Sequence, residues 1–252
     1  MDAHPVSPAR ESVVESAGPL ISGPQEWGLP AEPDREEVLR LLGIHRAPEA
    51  PAHLMARLDT IWDMATSLLH PRVWDAEVAV SSVDARGVTV GEGVRFRSPR
   101  LARALRDASA VRVFVATVGE GLERLVERWA GEGRLADAFL LDAFASAAAE
   151  CLVERYHRLV GEHAARAGFA VTLRFSPGYC DWPLEDQRRL FSLFQDGNVA
   201  VTLTPSCFMQ PRKSVSGVFG IVPLPNGGTG SLGVYNPCRE CGNHGCPFRR
   251  RE

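Results

Sequence analysis

The sequence predicts an α+β fold, and three observations carry that prediction. The hydrophobic period switches several times between about 3.6 and 2 residues. Segments of the two kinds do not alternate strictly, as a doubly wound parallel sheet requires. One helical stretch of roughly thirty residues, Arg134 to about Ala167, stands beside short β-branched runs such as Val111–Val118. No internal repeat is visible.

Taken in order, residues 1–34 carry Pro5, Pro8, Pro19, Pro24, Pro30 and Pro33 among small polar residues. They read as a disordered leader without a core of its own. Residues 35–105 then form an N-terminal helical and strand part. Asp34 can cap a helix carrying Glu36 and Glu37 in its first turn and ended by Gly43. Leu54, Leu58, Ile61, Met64 and Leu68 predict a second helix over 51–70, stopped by Pro71. Val73–Val80 and Gly87–Gly91 read as strands, and Ser98-Pro99 opens a helix through Arg106, proline being favoured at the first position. The main unit spans 106–222. It holds the strand Val111–Val118, a helix over Leu122–Ala130, the long helix, a strand at Ala170–Arg174, a helix at Leu184–Phe194, and strands at Val199–Leu203 and Val215–Val222. Residues 223–252 form a Gly/Pro-rich tail with cysteines.

The bulk properties exclude several roles. With 28 basic and 31 acidic residues among 252, the formal charge of −3 offers no field for a nucleic-acid backbone. No apolar run reaches the ~18 residues of a membrane span, so no membrane is expected as partner. The N-terminus lacks the basic start and apolar core of a secretory signal, which predicts a cytoplasmic protein with reduced thiols. No Walker loop, nucleophile elbow, H-E-x-x-H or G-x-G-x-x-G occurs, and no catalytic Ser-His-Asp or Cys-His set is evident.

Four segments carry candidate chemistry. In Arg174-Phe-Ser-Pro-Gly-Tyr179, Pro177-Gly178 signals a type II turn between a fixed cation and a phenol. Such a turn suits a small zwitterion, its carboxylate on the guanidinium and its planar base on free backbone groups. Equally, it reads as a tight connection with Tyr179 merely packed. On the long helix, Ala143-Phe-Ala-Ser-Ala-Ala-Ala-Glu150 allows close approach, and Ser146, Glu150 and His157 share one face. Glu150 there fits an ammonium or sulfonium group, or else sits at the rim of a helix contact. Arg212 and Lys213, in a proline-rich link, offer an anion contact or a solvated loop. Finally, Cys238, Cys241 and Cys246 form C-x2-C-x4-C, a metal-ligand spacing one ligand short of four. His244, Cys207 or an exogenous ligand could complete a zinc site, three cysteines could hold an iron–sulfur cluster with one open iron, and unliganded thiols are the plain alternative.

Three of these segments together resemble the activation (reactivation) domain of cobalamin-dependent methionine synthase. Arg174 to Tyr179 matches that family's R-x-x-x-G-Y signature. Ala145–His157, with Glu150 and Glu154-Arg-x-His157, is similar to its small-residue helix. Its L-T-x-S-x-x-M-x-P-x-x-S-V-S-G connection is matched by Leu203, Thr204, Ser206, Met209, Pro211, Ser214, Val215, Ser216 and Gly217. The resemblance covers roughly residues 105–222. It implies a twisted, mainly antiparallel sheet with flanking helices and S-adenosylmethionine as ligand. Arg174 would then bind the carboxylate, Glu150 the ammonium group, and the Ser176–Tyr179 turn, with Gly178, the adenosine. It also implies cobalamin on a methionine synthase or other corrinoid partner acted on in trans, and an electron donor such as flavodoxin. Pro205 replaces a frequent acid, Cys180-Asp-Trp182 departs from the family pattern, and the cysteine tail is an addition to it. An accessory redox protein holding metal in that tail is the alternative.

Overall fold

The computed structural model describes residues 25–44, 50–194, 199–225 and 235–246. Its centre is one antiparallel sheet of seven strands. In chain order these are β1 (Gln25–Trp27), β2 (Arg72–Asp84), β3 (Gly87–Val90), β4 (Val94–Phe96), β5 (Ala110–Thr117), β6 (Phe169–Val171) and, after a separate two-stranded hairpin of β7 (Thr202–Leu203) and β8 (Met209–Gln210), β9 (Ser214–Pro223). The spatial order is β4-β3-β2-β5-β9-β6, with β1 added to β2. The helices are α1 (Arg35–Leu41), α2 (Ala52–Ser67), α3 (Pro99–Ala104), α4 (Gly121–Gly131), α5 (Leu135–Arg166) and α6 (Gln187–Phe191). The fold is therefore the α+β arrangement that the sequence predicts.

Period-2 alternation explains why both faces of the sheet are covered. In β5, Phe114 and Ala116 join Val73, Phe219 and Ile221 in a core shared with α1, α2, α4 and α5. Their neighbours Val111, Val113 and Val115 point the other way, packing with Trp74, Val218, Phe96, Leu101 and Trp182. The alanine run of α5 lets the helix lie close, with Ala145, Ala147 and Ala148 fully buried. Phe144 stands edge-on to Trp62 of α2, ring centroids 4.9 Å apart. Burying one such ring contributes about 2–3 kcal/mol.

A charged residue sits at the middle of the first core. Asp75 of β2 is 0% exposed. Its Oδ1 accepts from Trp27 Nε1 at 2.9 Å, and its Oδ2 from Arg112 NH1 at 2.8 Å and Tyr156 Oη at 2.6 Å. Glu77 stands 3.2 Å from Arg112 Nε as an ion pair, without the alignment of a hydrogen bond. Burial pushes the Glu77 carboxyl up, against the pull of Arg112. Burial, reinforced by the charge of Asp75, holds the Tyr156 phenol well above its ordinary value.

The helix caps follow the sequence. Asp34 accepts from Glu36 N at 3.0 Å, Ser98 Oγ accepts from Leu101 N at 3.0 Å, and Gly43 takes a φ of 80°. Four expectations change. The leader was expected to extend to residue 34, yet β1 pairs with β2 and Ala31 is buried; residues 1–24 lie outside the described residues. The helix over Leu184–Phe194 is a 3-10 turn (Leu184–Asp186) followed by the short α6, because Asp186 spends its carboxylate on Arg97 N and Trp182 Nε1 rather than on a cap. Val199–Leu203 contributes only the two residues of β7. The sheet also runs across the expected boundary at 105/106, since β2 lies between β3 and β5.

Removing the Asp75 carboxylate leaves the Arg112 charge, only 6% exposed, without its best partner. Asp75→Ala is expected to lower stability by about 3–5 kcal/mol in urea unfolding, whereas Trp27→Phe, which removes one donor, costs about 1–2 kcal/mol. Equal losses would contradict a central role for the carboxylate.

Candidate ligand-binding site

Arg174 follows β6, where the chain leaves the sheet edge and returns to it at one bridge. Phe175 N donates to Val218 O at 2.9 Å, and Val218 N to Phe175 O at 2.8 Å. This return needs Gly217: a Cβ there would lie 2.4 Å from Phe175 O and 3.0 Å from Ser176 Oγ. The chain then turns as Pro177-Gly178 dictates. Tyr179 N donates to Ser176 O at 3.3 Å, and Gly178 takes a φ of 89°. A second turn follows at once, with Trp182 N on Tyr179 O at 3.1 Å and Gly178 N on Trp182 O at 2.8 Å. It places Cys180 at φ 57°, a left-handed conformation that costs a non-glycine residue on the order of 1 kcal/mol. Asp181 fastens this double turn to α3, accepting from Ser98 Oγ and from Arg100 N at 3.1 Å.

Of the site residues named from the sequence, the structure brings Glu150 and Arg174 together. Arg174 NH2 lies 3.9 Å from Glu150 Oε2 and 3.0 Å from Glu154 Oε2, both on α5. Its side chain is 17% exposed and that of Glu150 34%, so both pair at a half-open edge. They line a cavity of about 570 Å³ together with Asp34, Glu37, Glu154 and Arg155. Tyr179 is 47% exposed; burial raises its phenol first, and the charges of Glu150 and Cys246 raise it further. Glu150 and Arg174 thus share one cavity; Ser176, Gly178 and Tyr179 are not among its lining residues, and Tyr179 is linked to it through the charge of Glu150.

Other candidates fall elsewhere. Ser146 Oγ donates to Asp142 O at 2.9 Å and accepts from Lys213 Nζ at 2.8 Å. His157 pairs with Thr172 O at 2.8 Å and stands edge-on to Phe219, a structural position. Arg212 and Lys213 do not present an open anion site: Arg212 pairs with Glu123 and Glu127, and Lys213 Nζ with Asp142 at 2.7 Å. Sequence reasoning missed Asp34 and Glu37 as cavity walls. They come from the stretch expected as leader and from the first turn of α1, and no local signal connects them to Arg174. Glu154 was legible as the residue one turn beyond Glu150.

The tail cysteines Cys238, Cys241 and Cys246 are half-buried and in no disulfide, and Cys180 is exposed. Among the described residues no three His, Cys, Asp or Glu side chains converge as a ready metal cage. Cys207 is buried in the β7–β8 turn, and Cys151 Sγ lies 3.3 Å from Glu32 O. No helix among the described residues is long and apolar enough to cross a membrane.

The chemistry on offer is recognition. A guanidinium shared by two carboxylates can exchange them for the two charges of an amino-acid zwitterion, leaving the local charge unchanged. An Arg–Glu contact of 3.9 Å at an open edge is worth little, so its replacement costs little.

Comparison with known proteins bears on that geometry. Residues 102–224 match the family described as vitamin B12 dependent methionine synthase, activation domain. The fold is similar to the crystal structure of the MetH reactivation domain bound to AdoHcy, with a TM-score of 0.62 and 16% sequence identity, covering 85% of this chain and 82% of that one. The search of curated proteins gave no match.

Two outcomes test the geometry. In a Tyr235→Phe background, Tyr179 should ionise above the ordinary tyrosine value in a phenolate absorbance titration. Glu150→Gln should bring that midpoint down, because a negative neighbour that opposes the phenolate has been removed. An unmoved midpoint would separate Glu150 from the turn. Gly217→Ala should displace the Phe175–Ser176 segment, read as lost amide protection at Phe175.

Proposed function

We propose that the chain binds S-adenosylmethionine and supports reductive remethylation of a corrinoid held by a partner protein in trans, a reading supported by the match of residues 102–224 to the vitamin B12 dependent methionine synthase activation-domain family. The observation that supports the reading is the meeting of Arg174, Glu150 and Glu154 in one cavity, with the Ser176–Tyr179 turn following Arg174 in the chain. The donor set fits the ligand. Arg174 takes the carboxylate in fork geometry. Glu150, with Glu154 beside it, takes the ammonium group. The Ser176–Tyr179 turn, with Gly178 free of a side chain, meets the adenosine while the Tyr179 ring supplies a half-exposed apolar face.

When bound, the ligand supplies an activated methyl on a positively charged sulfur. This chain's residues hold and orient it. Transfer of such a methyl group to a strong nucleophile needs positioning far more than acid–base chemistry. The nearby carboxylates favour the sulfonium charge without abstracting a proton. The partner of best fit is a cobalamin-dependent methionine synthase, or another corrinoid methyltransferase, supplied with electrons by a donor such as flavodoxin. A reducing cytoplasmic setting is consistent with that chemistry.

Calorimetry on the purified chain should show S-adenosylmethionine binding that weakens at least about tenfold in Arg174→Ala and in Glu150→Ala, the loss of about 1.4 kcal/mol or more that a charge-assisted pair carries. Arg174→Lys should recover only part, because the fork is lost. Wild-type protein that fails to bind, alone and with a corrinoid methionine synthase present, would overturn the reading.

A further inference from the structure

We infer that Glu154 is a two-position latch on the cavity: it holds the Arg174 guanidinium, and yields it to a ligand carboxylate by passing to Arg158. The inference rests on the amino-acid ligand proposed for this cavity and gives the two carboxylates on α5 separate parts.

Arg174 is the fixed member. Thr172 N donates to Gly220 O at 3.0 Å and Phe175 N to Val218 O at 2.9 Å, so β9 holds the chain on both sides of it. The two carboxylates it meets are held unequally. Glu154 Oε2 accepts a hydrogen bond from Arg174 NH2 at 3.0 Å, whereas Glu150 Oε2 stands 3.9 Å from the same nitrogen. Yet the Glu154 side chain is 66% exposed against 34% for Glu150. The better-bonded carboxylate is therefore the one freer to leave. The NH2 group takes part in both forked arrangements of a guanidinium, end-on with NH1 and side-on with Nε. A forked ligand carboxylate thus competes with Glu154 for that nitrogen, and like charges brought to one point repel. Glu150, set further off, stays for the ammonium group.

The helix supplies a place for the displaced side chain. Arg158 follows Glu154 by four residues, the spacing and order at which an acid and a base meet on a helix. Both line the cavity. Arg158 is exposed, and its contact with Glu162, at 4.0 Å, lies at the limit of an ion pair. Arg155, the other cation on this helix wall, is engaged by the carbonyls of Pro30 and Glu32. Glu154 therefore has a cationic partner before and after the exchange. Exposed ion pairs are weak, so the two positions differ little in energy and a ligand can throw the latch.

The test is calorimetry of the full chain with S-adenosylmethionine. Glu154→Gln, a same-sized change at an exposed position, should bind about two- to fivefold tighter than wild type, the factor that an exposed ion pair carries. Decarboxylated S-adenosylmethionine, which keeps both cationic groups, should gain nothing from the substitution. Arg158→Gln should weaken S-adenosylmethionine binding by a similar factor in the wild-type background. Beside Glu154→Gln it should change nothing, because the side chain that Arg158 receives is gone. Binding to Glu154→Gln that is no tighter, an equal gain for the decarboxylated analogue, or an Arg158 effect that is the same in both backgrounds would overturn the latch. Wild type that binds S-adenosylmethionine while Glu154→Gln merely matches it locates the failure in the latch alone. Wild type that does not bind ends the ligand reading, and the latch with it.

Discussion

The buried carboxylate of Asp75 is the constraint on which the rest depends. A charge at full burial is tolerated only where donors surround it, and here they come from three elements: Trp27 on β1, Arg112 on β5 and Tyr156 on α5. Each fixes a geometric choice. Trp27 docks an otherwise short edge strand, Arg112 sets the facing of β5, and Tyr156 sets the rotation of α5 about its axis. The last has the longest reach. At 3.6 residues per turn, Glu150 and Glu154 lie roughly a third to a half turn round from Tyr156. A tyrosine held inward therefore holds both carboxylates at the sheet edge, where Arg174 emerges.

The same geometry explains what the sequence could reveal. Long periodic segments were legible: α5 and β5 match their predicted spans closely, and the caps at Asp34 and Ser98 are local chemistry visible in the chain. The short strands β1, β4 and β8, of two or three residues, are too short for a period of two to register. Arg174, Gly178 and Tyr179 stood out because a fixed cation and a turn signal lie within six residues. The cavity's other wall did not, since Asp34 and Glu37 reach it through the path of a proline-rich segment. Arg212 and Lys213 show the opposite error. Read locally they are available cations, and only the fold reveals Glu123, Glu127 and Asp142 opposite them.

The cysteines divide by environment rather than by spacing. Cys207 and Cys151 are absorbed into packing and a backbone contact. Cys180 sits in a turn fastened to the start of α3, the helix on which Arg103 also seats the tail through Glu240.

The N-terminal segment is tied to α5 in an unusual manner. Arg155 donates to the carbonyls of Pro30 and Glu32 at 2.8 and 3.1 Å, and Cys151 Sγ approaches the Glu32 carbonyl. The helix grips main chain there, so the identities of residues 30 and 32 are irrelevant to those bonds while their route is not. Side chains of the same stretch are held as well, Trp27 by Asp75, Glu32 by Trp62 and Ala31 by burial, so both its route and its packing deliver Asp34 to the cavity wall.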